Sequence, residues 1–400
     1  MTDQAARPLH VAYDIARLSA GGFNGGIKVH HYEFLKRFVL KHSHEIRLFV
    51  FCREEIIPEL SFLSLEGRHQ IHVLGPRKDY EPRNSDGSLP ILRYWADLPE
   101  DLLSLLEVDV LYAGFGFSQL YTPKVPQVSL IVDALHKSCP DSLPSAEVEF
   151  RDRWYAEAIE RSTLVQTNSE FCKAQLVEAF QAPPEKVFTI PLPLHARFNQ
   201  VKMGNLPAAI AHLPHKYFLY PANFWPHKNH ERLLEAYARY HRKAGPQALH
   251  LVLTGQKDER GELIARAVAQ HGLQDFAHLI GHTELDAYKA VWELAHSLVF
   301  PSRYEGFGLP LLEAHYFQKP VLRSRDVYDA HLLAPKALAV DTTDVDAMAE
   351  ALGELQAHPK DYLDDGSTLS HFDRRDEYYR LFGYLEKAAN RRRTSVATDV

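Results

Sequence analysis

Short apolar runs alternate with longer amphipathic stretches along almost the whole chain. A short apolar run suits a buried parallel strand, and the amphipathic stretch after it suits a crossover helix. Repeated units of this kind form parallel sheets with helices on both faces, so we predict an α/β protein with two doubly wound, Rossmann-like domains facing a central cleft. The predicted strands are Leu9–Tyr13, Arg47–Cys52, Ile71–Leu74, Val108–Tyr112, Val128–Val132, Leu164–Thr167, Val187–Ile190, Tyr217–Pro221, Leu249–Thr254, Ala277–Ile280, Leu298–Phe300, Pro320–Leu322 and Leu338–Val340.

Prolines mark the break between the two sets of strands. Pro191, Pro193, Pro207 and Pro214 interrupt a stretch without clear periodicity, which is typical of a linker. A ligand shared by two such domains binds between them, outside the carboxyl ends of the strands. The predicted divisions are an N-terminal domain over residues 1–195, a C-terminal domain over 196–372, a C-terminal helix over 373–400, and a surface loop over 79–90.

Composition places the chain among globular proteins. Its 400 residues are 46% apolar, enough for two cores, and its net charge of −7 disfavours broad nucleic-acid binding. Cys52, Cys139 and Cys172 have no disulfide or metal-ligand spacing and suit a reducing compartment. Because neither a signal peptide nor a long apolar span is recognisable, we expect a cytoplasmic protein.

A glycine-rich turn follows the apolar run 295–300. Gly306 and Gly308 let backbone amides come close to a ligand, and Pro310 suits the first turn of a helix. Amides at a helix start point toward bound anions, so the turn is a candidate diphosphate site. Its predicted contact residues are Gly306, Phe307, Gly308 and Leu309.

Two carboxylates, Glu305 and Glu313, lie in this turn and in the helix after it. Both can accept hydrogen bonds from the hydroxyls of one ligand. The stretch resembles the Glu-x7-Glu signature of the retaining GT-B glycosyltransferases of family 4 (glycosyl transferases group 1), which use nucleotide-diphospho-sugars. The resemblance implies that Glu305 faces the donor sugar as a catalytic residue and that Glu313 holds the ribose. A purely structural strand-to-helix connection is the alternative.

A lysine follows the first strand of the second set. Lys228 lies at a strand-to-helix junction, where it can neutralise phosphate oxygens. The family has Lys-Asn or Lys-Gly at this place, but its arginine five or six residues earlier is replaced here by Asn223, and the residue before the lysine is His227. We therefore expect diphosphate binding by Lys228, with weaker help from Asn223 and His227. Gly255 resembles the family glycine that approaches the donor.

In the resembled family the N-terminal half faces the acceptor. Here its first strand is followed by glycines, and the amides of Gly22, Gly25 and Gly26 are expected to face phosphate or sugar. A loop with no role in ligand binding is the alternative.

A second N-terminal motif departs from the family. Where many members end a strand with His-Asp, this chain has Val132 and Asp133, and His136 follows three residues later. We predict catalytic roles for Asp133 and His136. An ordinary loop histidine is the alternative for His136.

Two further motifs are predicted to be helix caps. Ser169 lacks the partners of a nucleophile and suits an N-cap. The pair Asp344 and Asp346 looks like an Asp-x-Asp metal clamp, but a helix follows it, so capping and favourable N-terminal charge explain it. We therefore predict activity without a metal, and without a cofactor other than the donor substrate.

The resemblance implies transfer of a hexosyl unit, mannose being favoured, with retention at the anomeric carbon. The donor would be a GDP- or UDP-linked sugar, and the acceptor a hydroxyl of a glycan or lipid-linked glycan in surface polysaccharide biosynthesis. The alternatives are a nucleotide-sugar epimerase or phosphorylase on the same fold, or a non-catalytic binding subunit.

The C-terminal helix crosses back to the first domain in this family.

The basic amphipathic segment 26–44 has two interpretations. It could touch an anionic membrane peripherally, at the inner face where lipid-linked acceptors reside. More often such a segment is simply the first crossover helix of an α/β domain, packed on one side and solvated on the other.

Overall fold

The computed structural model describes residues 7–21, 24–42, 44–66, 69–75, 91–94, 99, 101–191, 196–199, 201–213, 216–327, 330–372 and 377–398. The chain divides into two compact units, which are described separately. Unit 1 comprises described parts of Met1–Ala134, Glu149–Pro191 and Arg375–Val400, and unit 2 comprises those of Leu135–Val148 and Leu192–Arg374.

Each unit contains one parallel sheet. The described strands are β1 (Leu9–Asp14), β2 (Ile46–Cys52), β3 (Gln70–Leu74), β4 (Ile91–Tyr94), β5 (Val110–Ala113), β6 (Gln127–Leu130), β7 (Leu164–Thr167), β8 (Val187–Thr189), β9 (Tyr217–Pro221), β10 (His250–Thr254), β11 (Ala277–Gly281), β12 (Ser297–Phe300), β13 (Val321–Ser324) and β14 (Leu338–Val340). The predicted α/β fold class with two Rossmann-like sheets is confirmed, and β4 is a strand that the sequence reading missed.

The described helices follow the strands. They are α1 (Gly26–His42), α2 (Leu102–Leu105), α3 (Leu135–Ser138), α4 (Ser145–Arg161), α5 (Glu170–Phe180), α6 (Ala196–Asn199), α7 (His230–Ala244), α8 (Glu259–Gln270), α9 (Leu285–Leu294), α10 (Leu309–Tyr316), α11 (Ala330–Leu333), α12 (Val345–Ala357), α13 (Ser367–Phe372) and α14 (Glu377–Thr398). Among the helices so described, none has the length and apolarity needed to cross a membrane.

Unit 1 is built around β1. Its described strands have the order β4-β3-β2-β1-β5-β6-β7-β8, and β1 is almost wholly buried because its apolar residues follow one another without alternation. The C-terminal helix α14 belongs to this core: Tyr378, Leu381 and Leu385 are buried in it. Arg380 also donates to the carbonyl of Thr189 at 3.1 Å, at the end of β8.

Unit 2 has the strand order β11-β10-β9-β12-β13-β14. The chain runs outward from β9 to β11 and then returns to place β12 on the other side of β9. The carboxyl ends of β9 and β12 are therefore a topological switch point, where open parallel sheets bind their ligands.

The sequence analysis placed the segment Leu135–Val148 in the N-terminal domain, whereas by its contacts it groups with unit 2. One of these contacts is a hydrogen bond of 2.8 Å that Asp141 of this segment accepts from Arg303, which follows β12. That contact joins residues far apart in sequence, so no local pattern signals it.

The polar stretch 79–90, predicted as a surface loop, lies outside the described residues.

Candidate functional site

Two loops meet at the switch point of unit 2. We call residues 222–229, after β9, the lysine loop, and residues 301–308, after β12, the glutamate loop. Together they carry Lys228, Glu305, Gly306 and Gly308. The predicted site residues of the second half are thus brought to adjacent strand ends.

The glutamate loop ends in a helix start of the predicted kind. Gly308 has φ +91° and ψ 47°, a left-handed conformation, and is the N-cap of α10. Pro310 lies in the first turn, where its missing N–H costs nothing. The side chains of Phe307 and Leu309 are buried in the core of unit 2, so these two residues offer a ligand mainly their backbone.

Lys228 and Glu305 form an ion pair across the two loops. The Lys228 Nζ lies 2.7 Å from the Glu305 Oε1, and the side chains are only 17% and 10% exposed. An ammonium group has three donors, so Lys228 can hold Glu305 and still offer hydrogen bonds to phosphate oxygens. The pair places a positive and a negative group side by side at the switch point of unit 2.

Hydrogen bonds join the backbones of the same two loops. The amide of Arg303 donates to the carbonyl of His227 at 2.7 Å. The phenol of Tyr220 lies 2.9 Å from the Lys228 carbonyl and 2.8 Å from the Ser302 hydroxyl. These contacts hold the lysine loop against the glutamate loop independently of the ion pair.

Asn229 closes the lysine loop and ties it to two other strand ends. Its backbone is left-handed, with φ 63° and ψ 32°. Its side-chain amide donates to the carbonyls of Pro301, at 3.2 Å, and Thr342, at 2.9 Å. The sequence reading did not single out Asn229, although the Lys-Asn or Lys-Gly pattern is a signal, since asparagine and glycine tolerate this conformation best.

Glu313 lies on α10 and is 1% exposed. Its Oε2 accepts a hydrogen bond of 2.6 Å from the phenol of Tyr288 on α9. The carboxylate is therefore held in one orientation by a neighbouring helix. Tyr288 is a second residue that the sequence reading missed.

Asn223 and Gly255 hold the neighbouring strand end. The side-chain oxygen of Asn223, where the family often has arginine, accepts a hydrogen bond of 3.1 Å from the Gln256 amide. Gly255 has φ +136°, and a Cβ there would lie 2.8 Å from the carbonyl oxygen of Ala222. Asn223 thus makes a structural contact in the loop.

Two histidines of the lysine loop region are buried. His227 is 8% exposed and His230, the first residue of α7, is 3% exposed. The ring of His230 stacks on Tyr220, with 4.7 Å between centroids. Burial, and then the charge of Lys228, lower the pKa of His230 to about 3, so its ring is neutral at physiological pH.

Two of the three predicted glycines of the first half, Gly25 and Gly26, lie in the described residues at the start of α1. Gly25 has φ +54° and Gly26 begins α1, while Gly22 lies outside the described residues. Lys28 donates to the carbonyl of Gly21 at 2.9 Å and to the carboxylate of Glu59 at 2.8 Å. This lysine therefore supports the loop and is 8% exposed.

Asp133 and His136 fall in different units of the structure. Asp133, in unit 1, lies 3.7 Å from a guanidinium nitrogen of Arg151. His136, in unit 2, lies in the short helix α3 and is 1% exposed. Their catalytic roles stay predictions.

The two predicted caps are confirmed. Ser169 accepts a hydrogen bond of 3.0 Å from the Cys172 amide at the start of α5. Asp344 accepts from the amides of Asp346, at 2.9 Å, and Ala347, at 3.0 Å, at the start of α12. Asp346 itself pairs with Arg239. Both carboxylates thus make structural contacts within unit 2.

Comparison with known proteins agrees with this geometry. Residues 208–364 match the family model described as "Glycosyl transferases group 1". The O-antigen chain mannosyltransferase B of Escherichia coli is 26% identical over 227 residues, which cover 55% of this chain and 58% of that protein. The match thus spans little more than half the length of that curated relative.

Solved structures show the same fold over nearly the whole chain. Sucrose-phosphate synthase from Thermosynechococcus elongatus has a TM-score of 0.63 at 17% identity, covering 98% of each chain. Anabaena Alr3699/HepE in complex with UDP and glucose has a TM-score of 0.62 at 13% identity, covering 98% of this chain and 100% of that one. The protein therefore has the GT-B fold, and its segment 208–364 is similar to the glycosyl transferases group 1 family.

Proposed function

We propose that this protein is a retaining hexosyltransferase that moves a sugar from a nucleotide-diphospho-sugar to a hydroxyl of a glycan or lipid-linked glycan. The observation that carries the proposal is the contact of 2.7 Å between Lys228 and Glu305 at the switch point of unit 2. It places a phosphate-binding cation beside a carboxylate that can face the sugar, next to a helix start suited to a diphosphate.

Charge stabilisation supplies the chemistry. In the transfer, the bond between the anomeric carbon and the diphosphate oxygen breaks, and the bond to the acceptor oxygen forms on the same face of the sugar. Lys228 and the amides near Gly306 and Gly308 would stabilise the negative charge on the leaving diphosphate. Glu305 would balance the positive character of the anomeric carbon, and the acceptor proton would pass to a departing phosphate oxygen. Glu313 would hold the ribose.

We propose a mannosyl donor and a role in surface polysaccharide synthesis because the matched relative is an O-antigen chain mannosyltransferase. The predicted independence of metal is part of the proposal. Among the described residues, no group of three or more His, Cys, Asp or Glu side chains is arranged to hold a metal ion.

The test has two stages. A thermal-shift screen against GDP, UDP, ADP and their sugars identifies the donor, and a transfer assay with that donor, with and without EDTA, follows the product. We expect GDP and GDP-mannose to raise the melting temperature, and the product to keep the anomeric configuration of the donor in NMR spectra. Epimer formation, release of free sugar only, or an inverted product would contradict the proposal.

The structure favours the crossover interpretation of segment 26–44. Lys28 pairs with Glu59, and the guanidinium of Arg37 lies 5.5 Å from the centroid of the Tyr378 ring. Both cations thus contact other side chains of unit 1. We propose that α1 does not bind lipid, and co-sedimentation with anionic vesicles would show the opposite if the membrane interpretation were right.

A further inference from the structure

Two buried residues, Tyr220 and Asn229, link the loops that carry Lys228 and Glu305. The ion pair joins only the ends of two long side chains, so it does not by itself fix the backbones of the two loops. Tyr220 contacts the Lys228 carbonyl and the Ser302 hydroxyl, and Asn229 contacts the carbonyls of Pro301 and Thr342.

Tyr220 bridges the two loops through one oxygen. Its phenol has a single proton, which it donates to the Lys228 carbonyl, so the Ser302 hydroxyl must donate to the phenolic oxygen. The ring is fully buried and is stacked on His230. The phenol therefore has a partner on each loop, and the bridge is shielded from water. Hydrogen bonds in such an interior are electrostatically stronger than in water.

Asn229 performs the same task from the other side. Both hydrogens of its side-chain amide are used, one on the glutamate loop at Pro301 and one on Thr342 after β14. The residue is 7% exposed. Its left-handed backbone turns the side chain away from the N-cap role that an asparagine before a helix commonly has, and no capping hydrogen bond is made.

We propose that Tyr220 and Asn229 are positioning residues that set the spacing of Lys228 and Glu305 for sugar transfer. The inference rests on the proposed function of Lys228 and Glu305. Neither Tyr220 nor Asn229 needs to touch the donor. Their effect follows from geometry, because a displacement of about 1 Å at a reacting centre can lower a rate about a hundredfold.

The decisive variant is Tyr220→Phe, with Tyr237→Phe as its matched control. Tyr237 is also fully buried in unit 2, and its phenol also has two partners, the backbone carbonyls of Leu249 at 2.8 Å and Phe276 at 3.2 Å. Both variants lose one buried hydroxyl with two partners, so both should lower the melting temperature similarly. Only Tyr220→Phe removes a tie between the loops.

Two readouts separate positioning from stability. Hydrogen exchange at the Arg303 amide, which donates to His227 across the loops, reports on the tie without any substrate. We expect about tenfold faster exchange there in Tyr220→Phe than in Tyr237→Phe. In the transfer assay, Tyr220→Phe should lower kcat about tenfold with donor KM changed less than about threefold, while Tyr237→Phe keeps both near the wild-type values.

Asn229→Gly supplies an independent variant, because glycine keeps the left-handed backbone and removes only the side-chain bonds. It should repeat the effects of Tyr220→Phe, and it replaces that variant if Tyr220→Phe does not fold. Equal exchange at Arg303 in Tyr220→Phe and Tyr237→Phe would overturn the inference, as would an unchanged kcat. Faster exchange in a protein that transfers no sugar to any acceptor would overturn the proposed function and leave the tie itself established.

Discussion

The phenol of Tyr288 donates a hydrogen bond of 2.6 Å to the Oε2 of Glu313, and the two residues belong to different helices, α9 and α10. A hydrogen bond to a carboxylate is among the stronger ones in proteins. Glu313 thus meets any ligand with one oxygen already committed and its plane fixed.

We therefore expect Tyr288→Phe to weaken donor binding. The Glu313 carboxylate would lose a hydrogen bond that helps to orient it, and a cost of about 1 kcal/mol corresponds to an affinity about fivefold lower. Isothermal titration with the nucleoside diphosphate found in the screen measures it. Tyr316→Phe is the control, since the Tyr316 phenol on the same helix bonds to Asn199 instead, at 2.8 Å. Equal affinities in the two variants would show that Tyr288 does not orient Glu313.

Glu305→Gln should abolish most of the sugar transfer. The substitution keeps the shape of the side chain and removes the charge that the proposed function places beside the sugar, and losing one such electrostatic group typically lowers kcat about a hundredfold or more. The control is Glu235→Gln, which removes one member of another ion pair of unit 2, that with Arg239 at 2.7 Å. Steady-state rates of transfer at saturating donor, measured for Glu305→Gln and Glu235→Gln, test this prediction. Full activity in Glu305→Gln would favour a binding role for this loop.

Gly255→Ala should destabilise unit 2 strongly. The backbone there has φ +136°, and the new Cβ would lie 2.8 Å from the Ala222 carbonyl oxygen and 2.9 Å from a ring carbon of Phe224. We expect a loss of about 2 to 3 kcal/mol in the free energy of unfolding. Gly353→Ala, in α12 with nothing within 4 Å, should instead be neutral or stabilising by up to about 1 kcal/mol. Urea unfolding of both variants compares them, and shifts in the same direction would refute the steric argument.

Acid should destabilise the protein through its buried neutral histidines. The pKa of His230 is lowered to about 3, mainly by burial. A depressed pKa means that the unfolded chain binds the proton first, so the stabilisation is complete above about pH 6.5 and is lost as the pH falls toward 3.

His230→Phe removes this titration and keeps a ring to stack on Tyr220. The free energy of unfolding of this variant should fall less steeply between pH 6.5 and 4, by up to about 1.4 kcal/mol per pH unit. Denaturant unfolding at several pH values gives the slopes. Parallel slopes in the wild type and the variant would show that His230 does not contribute.

Much of the fold followed from local patterns. The strand Tyr217–Pro221 is a nearly continuous apolar run, and both it and Leu164–Thr167 were predicted to the residue. The strand β4 (Ile91–Tyr94), by contrast, lies at the sheet edge, where β3 is its partner among the described strands. Its residues include Arg93 and directly follow a polar stretch, so they do not stand out as a strand in the sequence.

Single features of the site were predictable from the sequence, whereas the contacts between its residues were not. Glycine and proline spacing indicated the helix start at Gly308, because backbone conformation is a local property. The pairing of Lys228 with Glu305 joins residues 77 positions apart, and that of Tyr288 with Glu313 joins residues 25 apart. Such contacts depend on strand order and helix packing, which no single segment encodes.

The core of unit 1 is completed by the C-terminal helix α14, which is synthesised after unit 2. Tyr378, Leu381 and Leu385 fill part of the core around β1, yet they leave the ribosome only after nearly all of unit 2 has been made. The nascent first unit must therefore wait with an apolar face uncovered while the second unit emerges and folds. A ribosome that stalls late in the message would thus release a chain whose most recently made unit is sound and whose earliest-made unit is incomplete.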